Sequence, residues 1–514
     1  MNNRIYTYAK VTEMARKSSI PEEILRHIPC KCCRIQKNNG TYYVYKYSAV
    51  KLSDGTWSSD WGYCIGKIIP EIGFIPNRRY QKELEEQRQI SFSDSTTDVA
   101  YGQYALLQEI SRDVLAKLMK CFPAKRAVQI YSYAMIMCAN GFLHVDQIDE
   151  FYRESVLSLQ YDDLSFKMGY TALSNLLKEL GMKGNPVRGF EQMLIDECSG
   201  DIAIDGHVVR SASENNDLAE PGYKFNELGD AQVNILIAYD AKRSAPLMYR
   251  TFRGSSNDKV SAVELLRSRR FRNVKFIVDN GFYSSTMIDL MSQDGNTYII
   301  PLKKSSNEFK RIRRNLDYSS GEFVYKAGRK DTARVVYQEK YIDEHTRVIV
   351  FKDVDENNSK RKSYKQLMDL GERGYTQESY DKYCDWWGVY ILQTTTDEPA
   401  SEVYSDYKNR WGIETYNNYV KNDAGFSGLK FQSYYEQRGF DFVMLVTGLI
   451  HSCLNDAVRK LGKSSISTFD ILIKAGHMRM VLEGDTWNLH NTRTKDIELL
   501  KSMGFTPELK LAIR

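Results

Sequence analysis

The chain has 514 residues, of which 42% are hydrophobic and 12% are aromatic. At about 150 residues per domain this length predicts roughly three to four domains, and the composition excludes both a single small module and an intrinsically disordered chain. The most apolar run, Val443 to Leu454, is interrupted by polar residues and falls short of the roughly 20 residues that span a bilayer, which excludes a transmembrane protein.

The net charge of +5 is concentrated in one segment. Residues 303–365 hold 17 Lys/Arg against 10 Asp/Glu, a local charge of +7, so the rest of the chain sums to −2. Such a segment is either a solvated surface or a face that contacts phosphates. The nine cysteines are scattered and the N-terminus has no apolar signal segment, which predicts a reducing, cytoplasmic compartment.

Residues 1–80 predict a small separate unit of β-strands. The runs Thr41–Val50 and Trp57–Ile65 are rich in aromatic and β-branched residues and are followed by a Gly/Pro-rich segment. The unit also contains a zinc-like set of His27, Cys30, Cys33 and Cys64, but no second ligand pair completes it. Ordinary buried cysteines are the alternative interpretation.

From residue 100 to 195 the apolar spacing is helical and predicts a bundle of several helices. A basic patch on these helices indicates either a DNA contact or simple solubility. Its members are Lys117, Lys120, Lys125 and Arg126.

From about residue 200 the pattern changes to three strands in succession and then helix, strand, helix, strand, which predicts an α/β mixed sheet whose first strands are antiparallel. This is the order of a ribonuclease H-like core. We assign the core to residues 200–302 and 397–435, interrupted by a basic β-rich insertion at residues 303–396. A helical C-terminal region follows at residues 436–514.

Two carboxylates follow strands of this core. Asp205 comes after Ile202-Ala-Ile204, and Asp279 comes after Phe276-Ile-Val278. The carboxyl ends of strands in open α/β sheets bind ligands, so both aspartates are candidates for binding a metal ion or a substrate. The alternative is that these acids only form turns, and Asp201 is a rival to Asp205 on the same strand.

A third feature lies on the helix predicted after Glu402. At 100° per residue, four polar side chains share one narrow face of that helix. They are Tyr407, Arg410, Glu414 and Lys421. Salt pairing of Arg410 with Glu414 on a solvated face is the simpler interpretation. A carboxylate flanked by cations also suits a metal-bound phosphate chain.

These residues resemble the bacterial insertion-sequence transposases of the DDE type that carry a Y-x2-R-x3-E-x6-K signature. Tyr407, Arg410, Glu414 and Lys421 fit that spacing at every position, and Asp279-Asn-Gly is similar to the family's second-aspartate motif, although a basic residue often replaces Asn280. The resemblance covers residues from about 104 to 460. It implies a β-rich insertion between Asp279 and Glu414.

The resemblance implies cut-and-paste DNA transposition, with Asp205, Asp279 and Glu414 as catalytic metal ligands. An all-carboxylate set favours Mg²⁺, or Mn²⁺ in its place, and two such ions can supply cleavage and strand transfer. Double-stranded DNA and a second copy of the chain are the implied partners, and no membrane is involved. Tyr407, Arg410 and Lys421 would bind DNA phosphates.

Two other functions remain open at this stage: a ribonuclease H-like nuclease without strand transfer, and a non-catalytic DNA-binding relic of a transposase. Trp386 and Trp387 in the insertion suit either base stacking or core packing.

Overall fold

The computed structural model describes residues 20–29, 33–51, 57–70, 72–81, 97–161, 164–211, 213, 216–222, 231–303, 305–326, 332–420, 431, 433–463 and 465–511. The chain divides into two compact units, Met1–Thr96 and Thr97–Arg514.

The first unit is built on a four-stranded antiparallel sheet in the order β1–β2–β3–β4. Its elements are the short helix α1 (Glu22–Leu25) and the strands β1 (Cys33–Asn38), β2 (Thr41–Lys51), β3 (Trp57–Ile69) and β4 (Gly73–Pro76). One face of the sheet forms the core, where Val44 and Ile65 are fully buried. The two strands predicted from the sequence are confirmed, and β1 and β4 are additional.

The second unit begins with β5 (Asp98–Ala100) and a run of helices that confirms the predicted bundle. The helices are α2 (Gly102–Ile110), α3 (Arg112–Cys121), α4 (Ala124–Asn140), α5 (Ile148–Arg153), α6 (Val156–Gln160), α7 (Tyr170–Met182) and α8 (Gly184–Asp196). Their apolar faces share one continuous core with the sheet that follows.

The central sheet confirms the predicted mixed α/β pattern. Its elements are β6 (Asp201–Arg210), β7 (Glu220–Pro221), β8 (Ala231–Asp240), β9 (Ala245–Arg253), α9 (Asp258–Arg267), β10 (Lys275–Val278), α10 (Ser285–Met291) and β11 (Thr297–Pro301). The order is β9–β8–β6–β10–β11, with β6, β8 and β9 antiparallel in succession and β10 parallel to both β6 and β11.

The β-rich insertion predicted at residues 303–396 contains four strands, and they extend the central sheet. β15 pairs with β11 on one side and β14 on the other, and β13 and β12 follow outward, all antiparallel. The elements are α11 (Asn307–Arg314), β12 (Gly321–Lys326), β13 (Thr332–Tyr341), β14 (Arg347–Asp353), α12 (Val354–Asp369), α13 (Gln377–Tyr383) and β15 (Val389–Thr394).

The C-terminal region is not helical throughout, which corrects the sequence-based expectation. After α14 (Ala400–Asn409), α15 (Trp411–Asn418), α16 (Tyr434–Lys460) and α17 (Thr468–Gly476) come β16 (Arg479–Glu483), β17 (Thr486–His490), α18 (Thr494–Ser502) and β18 (Lys510–Leu511). Gly484, at φ +63°, turns the hairpin between β16 and β17. β16 also pairs with β5, so the two ends of the second unit share one sheet.

Helix α16 runs through the core of the second unit. Among the described helices it is the one long and apolar enough to span a membrane, but 72% of its most apolar window is buried inside the protein, as in a core helix. It is fixed to the sheet by Asp441, whose carboxylate accepts hydrogen bonds from the backbone N–H and the hydroxyl of Thr251. It also approaches α7 closely, because Gly439 lies directly against the backbone of Leu177.

We expect Gly439→Ala to lower the free energy of unfolding by about 2 kcal/mol, because its new Cβ would overlap the Leu177 carbonyl and force the two helices apart. The matched control is Gly189→Ala in α8, where the nearest atom to the new Cβ is 3.9 Å away. Helix propensity alone should make that control more stable by about 0.5–1 kcal/mol. Urea unfolding measures both. Equal shifts in the two variants would contradict the close approach of α7 and α16.

A second prediction concerns His451 in α16, whose ring stacks on Tyr419 with centroids 3.4 Å apart. Burial lowers the pKa of His451 to about 3. Between that value and the ordinary pKa of about 6.5 the unfolded chain binds a proton and the folded chain does not, so stability falls as the pH falls through this window. From pH 7 to pH 5, we expect the free energy of unfolding of the wild type to fall by about 2 kcal/mol more than that of His451→Phe, as measured by urea unfolding. An equal loss would contradict a neutral, buried imidazole.

Candidate active site

Asp205 and Asp279 lie side by side on neighbouring parallel strands. The last paired residues of β10 and β6 are Val278 and Ile204, so the next residue on each strand is one of these two aspartates. Strands in a sheet are about 4.8 Å apart, and adjacent residues in a parallel pair face the same side. The sheet therefore brings together the two carboxylates that the sequence singled out.

The expectation that both aspartates end a strand is correct only for Asp279. Asp279 follows β10 and accepts a hydrogen bond at 2.7 Å from the backbone N–H of Asn280. Asp205 lies inside β6, which continues to Arg210 because its antiparallel partner β8 offers hydrogen bonds along that whole length. The turn expected at Asp205-Gly206 is not formed.

Tyr407, Arg410 and Glu414, which we call the Tyr-Arg-Glu stripe, lie on a helix that is divided at Arg410. α14 ends at Asn409 and α15 begins at Trp411, but Arg410 itself keeps helical backbone angles, so the stripe is preserved. Arg410 Nη2 donates to Glu414 Oε1 at 2.7 Å. The guanidinium also lies 5.6 Å from the centre of the Tyr407 ring. Lys421 lies outside the described residues.

Helix α15 is held over β6 by a residue that the sequence analysis missed. Asn417 Nδ2 donates to Asp205 Oδ2 at 2.7 Å, and Asn417 is 4% exposed. The neighbouring Tyr416 ring packs against Tyr239 of β8, with centroids 5.5 Å apart. Asn417 follows Glu414 by three residues, a spacing that places both on one helical face and could have identified it.

Charge in the site converges on the Arg410 guanidinium. Although burial favours the neutral form, the negative charges of Asp279 and Glu414 are among the causes that raise the pKa of Arg410. Burial raises the pKa of Asp205, an effect that Arg410 opposes and Glu414 reinforces. Burial likewise raises the pKa of the Tyr407 hydroxyl. Arg410 therefore interacts with all three candidate carboxylates.

The donor set fits a hard divalent cation. Every candidate ligand is a carboxylate, with no His or Cys among them, and partial burial raises the pKa of the half-buried Asp205 carboxylate, which a bound cation would offset. The buried Oδ1 of Asn417 also has no hydrogen-bond partner. Within the described parts of the chain, no three His, Cys, Asp or Glu side chains already form a cluster close enough to hold a metal ion.

Asp201, the rival to Asp205, belongs to a different network at the other end of β6. Its carboxylate pairs with Lys242 at 2.8 Å and with Lys275 at 3.4 Å. The buried Lys275 ammonium also pairs with Glu398 at 2.6 Å and with Asp406 of α14 at 2.5 Å. Burial works against the charged form of Lys275, but hydrogen bonds to Asp406 and Glu398 outweigh it and raise its pKa. This network fixes α14 to the sheet.

The remaining sequence candidates make ordinary structural contacts where the structure describes them. Cys33 is buried, the Cys64 thiol donates to the Gly66 carbonyl, and Cys30 lies outside the described residues. The half-buried Trp387 packs on Tyr364, with ring centroids 5.1 Å apart.

The other tryptophan and three of the four cations of the basic helical patch also have protein partners. Arg313 lies over the Trp386 ring. In the patch, Lys117 pairs with Glu197, Arg126 pairs with Glu179, and Lys125 donates to a backbone carbonyl.

Comparison with known proteins gives a family match for the region that contains this site. Residues 196–450, just under half of the chain, match the family described as "Transposase DDE domain". The matched span includes Asp205, Asp279 and Glu414, and this region is therefore similar to the DDE domain of transposases.

Two further comparisons are less informative. No curated protein matches the chain. One solved structure, the cryo-EM structure of a piggyBac transposase synaptic complex with hairpin DNA, is similar at 12% sequence identity and a TM-score of 0.38, over 73% of this chain and 80% of that chain. A TM-score of 0.38 is too low to transfer a fold or an activity.

We expect Lys275→Met to lower the free energy of unfolding by about 3–5 kcal/mol, because it leaves the carboxylates of Asp201, Glu398 and Asp406 without their shared buried partner. The matched control is Lys242→Met, which removes a lysine that pairs with the same Asp201 from a side chain that is 56% exposed. The control should cost less than about 1 kcal/mol. Urea unfolding of both variants tests the assignment, and similar small losses would count against it.

Proposed function

We propose that this protein is a DDE-type transposase that binds the ends of a mobile DNA element, cleaves them, and joins the freed 3′-OH ends to target DNA by a cut-and-paste route. The observation that carries the proposal is the strand register that places Asp205 beside Asp279, with Asp205 bound by Asn417 of the helix that also carries Glu414, all within the span that matches the transposase family. The sheet order β9–β8–β6–β10–β11 supports a ribonuclease H-like core beneath this site.

In this proposal Asp205, Asp279 and Glu414 hold Mg²⁺, or Mn²⁺ in its place. Such ions would supply an activated nucleophile and stabilise the charged leaving oxygen of a phosphodiester. Asn417 positions the Asp205 carboxylate through its 2.7 Å hydrogen bond. Carboxylates on rigid sheet and helix elements suit this work, because the ligands keep their mutual positions while the DNA strand is exchanged.

The cationic and aromatic groups of the site would bind the DNA backbone. Arg410 offers a planar guanidinium that can hold a phosphate through two parallel hydrogen bonds when it is not paired with Glu414. The Tyr407 hydroxyl, whose pKa is raised, stays protonated at neutral pH and can donate to a phosphate oxygen. Lys421, two turns beyond Glu414 in sequence, completes the set as a further phosphate contact.

We further propose that two copies of the chain hold the two ends of the element together, and that the protein acts in the cytoplasm. The presence of all three acids, Asp205, Asp279 and Glu414, favours a catalytic protein over a DNA-binding relic, because a relic has no need to keep them.

The test is metal-dependent cleavage of DNA that carries the repeats flanking the gene. We expect wild type to cut at the repeat ends in Mg²⁺ or Mn²⁺, and Glu414→Gln, Asp205→Asn and Asp279→Asn each to lose at least about 100-fold in rate, because each removes one anionic oxygen ligand. Glu402→Gln is the matched control, since it changes an exposed acid of α14. It should cut normally.

Three outcomes separate the possible functions. Cutting followed by joining to a target plasmid supports the transposase. Cutting without joining indicates a nuclease that lacks strand transfer. Binding without cutting by wild type would contradict the proposal and indicate a DNA-binding relic.

A further inference from the structure

The first unit carries positive charge in excess. Residues 1–96 hold 15 Lys/Arg against 10 Asp/Glu, a net charge of +5, whereas residues 97–514 are neutral overall because the +7 of residues 303–365 is offset by −7 in the rest of that unit. Strands β1 and β2 together contain four Lys/Arg and no Asp or Glu. A unit with this charge balance attracts a polyanion, although Lys37 and Lys46 lie on the core side of the sheet and Arg34 on the opposite side.

The sheet of this unit has two chemically different faces. Alternate residues of β1 and β2, among them Ile35 and the fully buried Val44, belong to the core. The residues that alternate with these core residues lie on the other side of the sheet, which we call the outer face. It is formed by residues of β1, β2 and β3 that are paired across the strands. Its members are Arg34, Gln36, Tyr43, Tyr45, Tyr47 and Lys67.

Cations and tyrosines alternate on the outer face. The Arg34 guanidinium lies 3.9 Å from the centre of the Tyr47 ring, close enough for a cation–π interaction. Arg34 pairs in register with Tyr45, and Lys67 pairs with Tyr43. Both cations are exposed, and the three tyrosines are half-buried between them.

The spacing of the two cations suits a DNA groove. Arg34 and Lys67 lie on either side of β2 and are offset by two residues along it, which separates their Cα atoms by roughly 12 Å at ordinary strand spacing, and both side chains are long enough to adjust this span. The major groove of B-DNA is about 12 Å wide, so two such cations can reach phosphates on its opposite rims. The tyrosine hydroxyls between them can donate to phosphates or base edges.

We propose that the outer face of the first unit is a duplex-DNA-binding surface, distinct from the Asp205–Asp279–Glu414 site. Arg34 and Lys67 contact backbone phosphates, and Tyr43 and Tyr45 lie against the groove between them. The choice of DNA as the polyanion rests on the proposed function.

The experiment measures binding of the full chain to a fluorescent duplex by anisotropy, in EDTA, between about 50 and 200 mM KCl. We expect the double variant Arg34→Gln/Lys67→Gln to bind at least about 10-fold more weakly, with a slope of log K against log salt that is smaller by about 1.8, because each lost phosphate contact removes about 0.9 from that slope. The matched control Lys463→Gln/Lys501→Gln removes two exposed cations of the second unit and should change binding less than about twofold.

A second double variant distinguishes the loss of positive charge from a disturbance of the fold. Arg34→Lys/Lys67→Arg keeps both cations and should restore the wild-type salt slope, and circular dichroism of all variants should match wild type. Unchanged affinity and slope in the Gln variant would overturn the proposal, as would tighter binding to a single strand than to the duplex. The binding assay contains no metal and is therefore independent of cleavage. If the wild type cuts DNA in the cleavage assay but the Gln variant binds DNA as tightly as the wild type, this surface alone is refuted. If binding depends on the two cations but the wild type never cuts DNA, the proposed function alone is refuted.

Discussion

The parallel pairing of β6 with β10 is the constraint on which the rest of the active site depends. Its register begins with Asp201 beside Lys275 and, four residues later, leads to Asp205 beside Asp279. At the first end Lys275 pairs with Asp201, and at the other end Asp205 and Asp279 adjoin with no lysine beside them on either strand. One short strand pair therefore divides these acids into one that is paired with lysine and two that form the candidate site.

The helical segment above the sheet is fixed at both ends by these two groups. Asp406 of α14 binds Lys275 below, and Asn417 of α15 binds Asp205. Arg410 and Glu414 lie between the two attachments, at the junction of the helices. Because both ends are attached to neighbouring strands, the distance from Glu414 to the aspartates is determined by the sheet and not by the helix alone.

Much of this arrangement is readable in the sequence, because its signals are local. The buried strands are continuous apolar runs, and the stripe of Tyr407, Arg410 and Glu414 follows directly from helical periodicity. What the sequence reading missed depends on partners distant in the chain. Asp205 lies inside a strand only because β8 pairs beyond it, and Lys275 resembles any surface lysine until Glu398 and Asp406 fold against it.

Two omissions had local signals that could have been read. Asn39 and Gly40, both with positive φ, form the tight turn that joins β1 to β2, and an Asn-Gly pair between strand-like runs predicts such a hairpin. The Gly484-Asp485 pair gives a similar indication for β16 and β17. The DNA-binding roles assigned to Tyr407, Arg410 and Lys421 remain predictions.

The continuity of the sheet through β15 changes where the chain can be cut or shortened. Residues 303–396 form one block in sequence, yet β15, at the end of that block, covers the edge of β11 beside Ile299 and Ile300. Excision of the whole block would expose that apolar edge, and unpaired strand edges promote aggregation. Excision of residues 305–388 would instead keep β15 as the outermost strand. The boundary of the insertion in space therefore falls one strand earlier than its boundary in the sequence.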